Sequence, residues 1–162
     1  MSEAAITTAI ITIACVICAV MLISAIYPAM HRATSSVITI SAKLGERIET
    51  SVEIVAEANE TSYEYVWVKN TGSSQLAPSD IECSDIFFGE TGNFQRLSYD
   101  ADLAPAPCWN YSIENDNNGN GRWDTGETVK ITINCSSNIG SGDYYFKIVL
   151  YNGVSDEDTF SI

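Results

Sequence analysis

From Ala4 to Tyr27 the chain reads AAITTAIITIACVICAVMLISAIY, a run of 24 residues without a charged side chain. As a helix rising about 1.5 Å per residue it reaches about 36 Å, enough to cross the hydrocarbon core of a bilayer. Glu3 is the only charged residue ahead of the run, and Pro28 follows it directly. A secretory signal would open with basic residues, carry a shorter apolar core and end at a small-residue cleavage site. The pattern therefore predicts a segment that stays with the mature chain. Its cover is either lipid or the same helix from neighbouring copies. Small residues recur four apart along it: Ala4, Thr8 and Thr12, then Ala5 and Ala9, Ala14 and Cys18, Cys15 and Ala19. Such spacing lets two backbones approach closely, and Thr hydroxyls can bond across helices or back onto their own turn. That favours a packed helical assembly, with a plain lipid-facing anchor as the alternative.

Downstream of Pro28, Val37, Ile40, Leu44 and Ile48 keep helical spacing from Ala33 to Thr50, with Lys43, Glu46, Arg47 and Glu49 on the other side. Gly45 weakens this stretch by about 1 kcal/mol. The expectation is one long helix, with Pro28 as the point where a kink would fall. From Val52 the period becomes two: Val52, Ile54, Ala56 and Ala58 alternate with other residues, and the strand Tyr63–Val68 follows. Asn70 to Ser74 reads as a turn. Further strands are expected at Asp85–Phe88, Phe94–Tyr99, Trp109–Glu114, Thr128–Asn134, Tyr144–Tyr151 and Asp158–Ile162. No helical pattern is apparent between them. The expected class is α+β: a long N-terminal apolar helix (residues 1–50) followed by an antiparallel immunoglobulin-like β-sandwich (residues 51–162).

The chain of 162 residues carries 21 acidic against 8 basic side chains, a formal net charge of −13. That balance disfavours nucleic acid and anionic headgroups as partners of the outer domain. It suits a saline exterior, cation binding or plain solubility. Cys15 and Cys18 lie in the apolar helix and read as small hydrophobes. Cys83, Cys108 and Cys135 allow at most one disulfide within the outer domain.

The sharpest local signal is Asp116-Asn117-Asn118-Gly119-Asn120-Gly121-Arg122-Trp123-Asp124-Thr125-Gly126-Glu127. It matches D-x-[DN]-x-[DN]-G-x5-E, in which alternate side chains of a tight loop turn their oxygens toward one point. Expected calcium ligands are Asp116, Asn118, Asn120, the Arg122 carbonyl, Asp124 (directly or through water) and a bidentate Glu127. Strands flank the loop, so it is no EF-hand, and its two Asn lower the charge, as in the weaker sites of extracellular modules. The competing reading is a metal-free Asn/Gly hairpin loop. Closing this hairpin with Asp116 opposite Glu127 would set Cys108 opposite Cys135. Burying Trp109, Tyr111 and Ile113 together with Val129, Ile131 and Ile133 requires a register shifted by one, which separates the two cysteines.

Three N-x-S/T sequons, at Asn59, Asn110 and Asn134, all fall in the outer domain and favour an exported, glycosylated surface. Asn59, at a strand end, is the best acceptor. No nucleotide-binding glycine loop, zinc spacing or nucleophile elbow occurs, and the single histidine, His31, abuts the apolar run. Asp156 and Asp158 read as solvated strand-end residues. Catalysis is not expected.

An uncharged N-terminal helix passing into an amphipathic one and then a small sandwich resembles the archaellin and archaeal type IV pilin-like family. Val66-Trp67-Val68-Lys69-Asn70-Thr71-Gly72 is similar to an early strand and turn of that family's outer domain. Phe87-Phe88-Gly89-Glu90-Thr91-Gly92-Asn93-Phe94 is similar to its accessory archaellum branch. The resemblance implies a structural subunit of a cell-surface filament, self-assembling through its N-terminal helices with the sandwich outside. The alternatives are a membrane-anchored stator gripping the surface layer and a tethered calcium-dependent module for glycans or solutes. Other archaellum components are the implied partners, at the archaeal cell surface. Family precursors carry a short basic leader, whereas no Lys or Arg precedes Arg32 here. Either a leader has been removed or the chain is inserted unprocessed, and this leans toward an accessory component. Arg32 and Lys43, by a strict count of positive charge, would instead hold the following domain inside.

Overall fold

The apolar run and its amphipathic continuation form one helix, α1 (Ser2–Glu49), in the computed structural model, which describes residues 2–162. Pro28 lies inside it. Where water is scarce a backbone must satisfy its own polar groups, and a helix does so within one segment. The hydroxyls follow suit: those of Thr7, Thr8 and Thr12 donate to the carbonyls of Glu3, Ala4 and Ala9, each at 2.8 Å. They bond back onto their own helix, so these three hydroxyls require no outside partner. Its apolar side chains are left uncovered, with Ile10, Val16, Met21, Leu22 and Ile23 between 61 and 67 % exposed.

Two compact units divide the chain, a helical one ending at Leu44 and a β unit spanning Gly45–Ile162, which includes the last turn of α1. The β unit contains β1 (Val52–Glu60), β2 (Tyr63–Asn70), a short α2 (Pro78–Glu82), β3 (Asp85–Glu90), β4 (Asn93–Tyr99), β5 (Cys108–Ile113), β6 (Thr128–Asn134), β7 (Asp143–Val149) and β8 (Ser155–Ser161). Eight strands run in the order β1-β2-β6-β5-β4-β3-β7-β8. All pairings are antiparallel except a two-residue parallel contact, Ser98 with Cys108 and Tyr99 with Trp109, which joins the two halves of the sandwich. At the far side β1 and β8 meet without a ladder; the Ile54 N–H donates to Asp156 Oδ2 at 2.8 Å across that seam. The result is a near-barrel sandwich whose interior holds Val66, Val68, Trp109, Trp123, Ile131, Ile133 and Phe146.

Three expectations change. No helix was expected between strands, yet α2 is present: Pro78 fixes φ in its first turn and the Asp80 carboxylate accepts the Ala77 N–H, while Ile81 is buried. The even alternation of β1 breaks at a bulge between Ile54 and Ala56, leaving Val55 half-exposed. Beyond it Glu57 stands opposite the buried Val66, while Ala56 and Ala58 pair with Trp67 and Tyr65 on the outer face. Asp156 is not a merely solvated strand end, because it closes the seam.

In the β5–β6 ladder Cys108 pairs with Asn134, Trp109 with Ile133, Tyr111 with Ile131 and Ile113 with Val129. This is the shifted register that the apolar pattern requires, and no cysteine among the described residues is disulfide-bonded. Fully buried Glu64, opposite Ile133, has no hydrogen-bond partner on either carboxylate oxygen. Burial first and the Glu57 charge second push its carboxyl up to about 8.

Candidate functional site

The loop Asp116–Glu127 connects β5 to β6 and lies against the turn that follows β2. Its glycines set the shape: Gly119, Gly121 and Gly126 hold φ of 67°, 68° and 82°, a region that side chains disfavour. Asp116 draws in the first half, its Oδ1 accepting the N–H of Gly119 (2.7 Å) and Asn120 (3.2 Å), its Oδ2 that of Gly121 (2.8 Å). These backbone donors, Gly121 foremost, hold its carboxyl below the usual range. Glu127 closes the second half: Oε1 accepts from Asn117 N and Oε2 from Asp124 N, both at 3.0 Å.

Asp116, Asp124 and Glu127 do not by themselves gather into a three-acid cluster. The point of convergence is Asp124, whose Oδ2 accepts the side-chain amides of Asn118 (2.6 Å) and Asn120 (2.8 Å). Its other oxygen, Oδ1, is buried without a partner, and the residue is only 8 % exposed. The oxygens of Asn118 and Asn120 accept the N–H of Asn120 (3.0 Å) and Arg122 (2.7 Å). The Arg122 guanidinium reaches the Gln75 carbonyl at 3.2 Å. Each oxygen of Glu127 spends one lone pair on a backbone donor, so the expected bidentate grip is not preformed. Of the six expected ligands, Asn118, Asn120 and Asp124 meet at the Asp124 carboxylate, Asp116 and Glu127 accept from the loop's own backbone, and the Arg122 side chain reaches out of the loop to Gln75.

Asn70, which sequence reasoning passed over as a turn residue, ties this loop to the end of α1. It is fully buried, and its amide donates to Ser74 O (2.8 Å) and Trp123 O (3.1 Å) while its Oδ1 accepts from Gly72 N (3.0 Å). Its backbone bonds to Glu127 O (2.9 Å) and Gly126 N (2.8 Å). The same turn sends Ser73 N and Ser74 N to the Glu49 carbonyl at 2.7 and 3.1 Å, which satisfies a group that a helix end otherwise leaves open. Gly72 permits this approach: a Cβ there would fall 2.4 Å from Glu49 O and 2.5 Å from Ser51 N. The only signal in the sequence was an Asn opening an Asn-Thr-Gly turn.

The sequons differ in their surroundings. The amides of Asn110 and Asn134 hold the Ala101 and Leu103 carbonyls at 2.7 and 3.0 Å, whereas Asn59 is exposed. A cleft lined by Phe88, Leu97, Ile133, Cys135 and Tyr144 opens on the sandwich. Burial and then the Glu64 charge push the Cys135 thiol up to about 12, so it stays protonated and is a poor nucleophile.

A helix long and apolar enough to cross a membrane is followed by an eight-stranded, mostly antiparallel sandwich. The chain belongs to the archaeal-type flagellin family, whose description matches residues 2–160. It is 33 % identical over 168 aligned positions, covering 99 % of each chain, to an uncharacterized protein of Archaeoglobus fulgidus. Among solved structures it is similar to the archaellum periplasmic stator protein FlaG from Sulfolobus acidocaldarius, with 25 % identity, TM-score 0.58, and coverage of 68 % of this chain and 99 % of that one. The complex of FlaF and FlaG from the same organism matches in fold, with 24 % identity, TM-score 0.56, and coverage of 67 % of this chain and 87 % of the other.

Proposed function

We propose that this chain is an accessory, stator-type component of the archaellum, held in the membrane by α1 with its sandwich outside, and that its role is structural rather than catalytic. The observation that carries this is the likeness, at 25 % identity over 99 % of its length, to a periplasmic stator protein. The uncovered apolar side chains of α1 supply the anchor. The filament-subunit expectation is less well supported, because both solved relatives are described as stator proteins. Other archaellum components are the proposed partners, in keeping with the FlaF–FlaG complex among the similar structures. On this reading the two positive charges after the apolar run, Arg32 and Lys43, do not set orientation.

Shearing separates the two roles. A stator stays with washed membranes after cells are sheared and co-purifies with the motor rather than the filament. Recovery of the chain as linear polymers in the sheared supernatant, seen by negative stain, would overturn the proposal.

A further inference from the structure

We infer that the Asp116–Glu127 loop takes a calcium ion at the Asp124 carboxylate, and that the ion stiffens the joint between α1 and the sandwich. The site is independent of the stator reading, since a filament subunit could carry it equally.

Asp124 is the deciding observation. A carboxylate that is 92 % buried (100 − 8 % exposed) with one oxygen unpartnered is costly unless something completes it. Its second oxygen faces the Asn118 and Asn120 amides, so the carboxylate is aimed into the loop. Rotating those amides about their broad terminal torsions turns nitrogen donors into oxygen donors, which is the change a cation at that point demands. Asp116, Asp124 and Glu127 supply three negative charges. Gly121 supplies the sharp turn at the sixth loop position, with φ 68°. An all-oxygen set on a loop with three glycines at positive φ suits calcium, which tolerates irregular geometry, better than magnesium, which demands a tight octahedron.

The effect on the joint follows from the bonding. The Glu127 and Trp123 carbonyls that bracket Asp124 are the groups Asn70 grips, and Asn70 in turn sets the turn that binds the Glu49 carbonyl. An ion that fixes Asp124 and Glu127 thereby restrains residues 70–74 and the end of α1.

The test uses the full chain in detergent micelles. Thermal unfolding is followed in chelator, in millimolar calcium and in millimolar magnesium, together with terbium luminescence sensitised by the adjacent buried Trp123. Calcium is expected to raise the midpoint by about 5–10 °C over chelator, magnesium to do much less, and calcium to quench the terbium signal. Asp124→Asn, and Asn118→Ala at an exposed position, should remove most of the calcium increment and the terbium signal while still folding. Coincident curves in calcium and chelator overturn the site. So does an equal rise in magnesium, or a rise that survives in both variants, since either would mark general screening of the −13 charge. Amide exchange at Thr50, Ser73 and Ser74 should slow with calcium. If melting rises while those amides exchange unchanged, the stiffening of the joint is overturned.

Discussion

The two units of this chain break opposite rules of solubility. The helix leaves Ile, Val, Leu and Met uncovered along its apolar run, while the β unit buries acids: Glu64, Asp124 and Glu127. Each violation marks a place that needs completing, from within the chain or from outside it. An apolar helix surface is completed by lipid or other helices, and a buried carboxylate by a proton, a donor or a cation. Glu127 has its donors, Glu64 holds a proton, and Asp124 retains an open oxygen.

The contrast predicts a sequence of effects. The largest belongs to the helix: a chain begun at Gly45 should leave the membrane fraction entirely for the soluble one, as a monomer in sedimentation. Persistence in washed membranes would place the anchor in the sandwich instead. Next is the core, where Phe146→Ala, at a fully buried position, should cost about 3–5 kcal/mol in chemical denaturation. At the joint, Gly72→Ala should cost about 1–3 kcal/mol, because its Cβ meets backbone rather than a yielding side chain. A loss below 0.5 kcal/mol (roughly the surface-mutation range) would mean that the turn and Glu49 are not held together.

Glu64 gives a pH signature. Its folded value, about 8, lies above the ordinary 4.5, so the folded state binds more protons between those limits. Stability from this group is therefore fully present below about pH 4.5 and is lost as pH rises through about 8. Asp116 and Glu157, whose values are lowered, act in the opposite sense and are lost on acidification. Glu64→Gln should raise the melting temperature at alkaline pH and leave it nearly unchanged near pH 5, which isolates the one contribution from the others. The smallest effect falls on the surface: Asn59→Gln should shift stability by less than about 0.5 kcal/mol. If Asn59 carries a glycan, as we propose, its tryptic peptide from the native organism gains sugar mass while those of Asn110 and Asn134 do not.

How far the sequence could be read follows from the same contrast. The helix was legible because composition and length alone carry it. The strands were legible because a period of two survives wherever one face is buried, and the apolar sets of β5 and β6 fixed their register. The loop announced itself through spacing. Ala56 and Ala58 were set on the face of Val52 and Ile54 because a bulge reverses parity without leaving a mark in the pattern, and α2 was missed because five residues are too few to display a helical period. Asn70 was passed over because a hub is defined by its partners, and Trp123, Gly126 and Glu127 are more than fifty positions away. Nothing in the spacing announced the unpaired oxygen of Asp124.

The seam between β1 and β8 also bears on how the molecule is made. β1 is the first strand synthesised and β8 the last, so the β unit cannot close until nearly the whole chain is present. Until then β1 offers an unprotected edge to any neighbouring nascent chain, beside a helix already seeking an apolar environment. The residues along that edge and its eventual partner are heavily acidic: Glu53, Glu57 and Glu60 on β1, Asp156, Glu157 and Asp158 on β8. Like charges on two nascent copies repel, which discourages premature pairing of identical edges. The acidic residues that flank the finished seam thus also disfavour wrong pairing while the chain is being made.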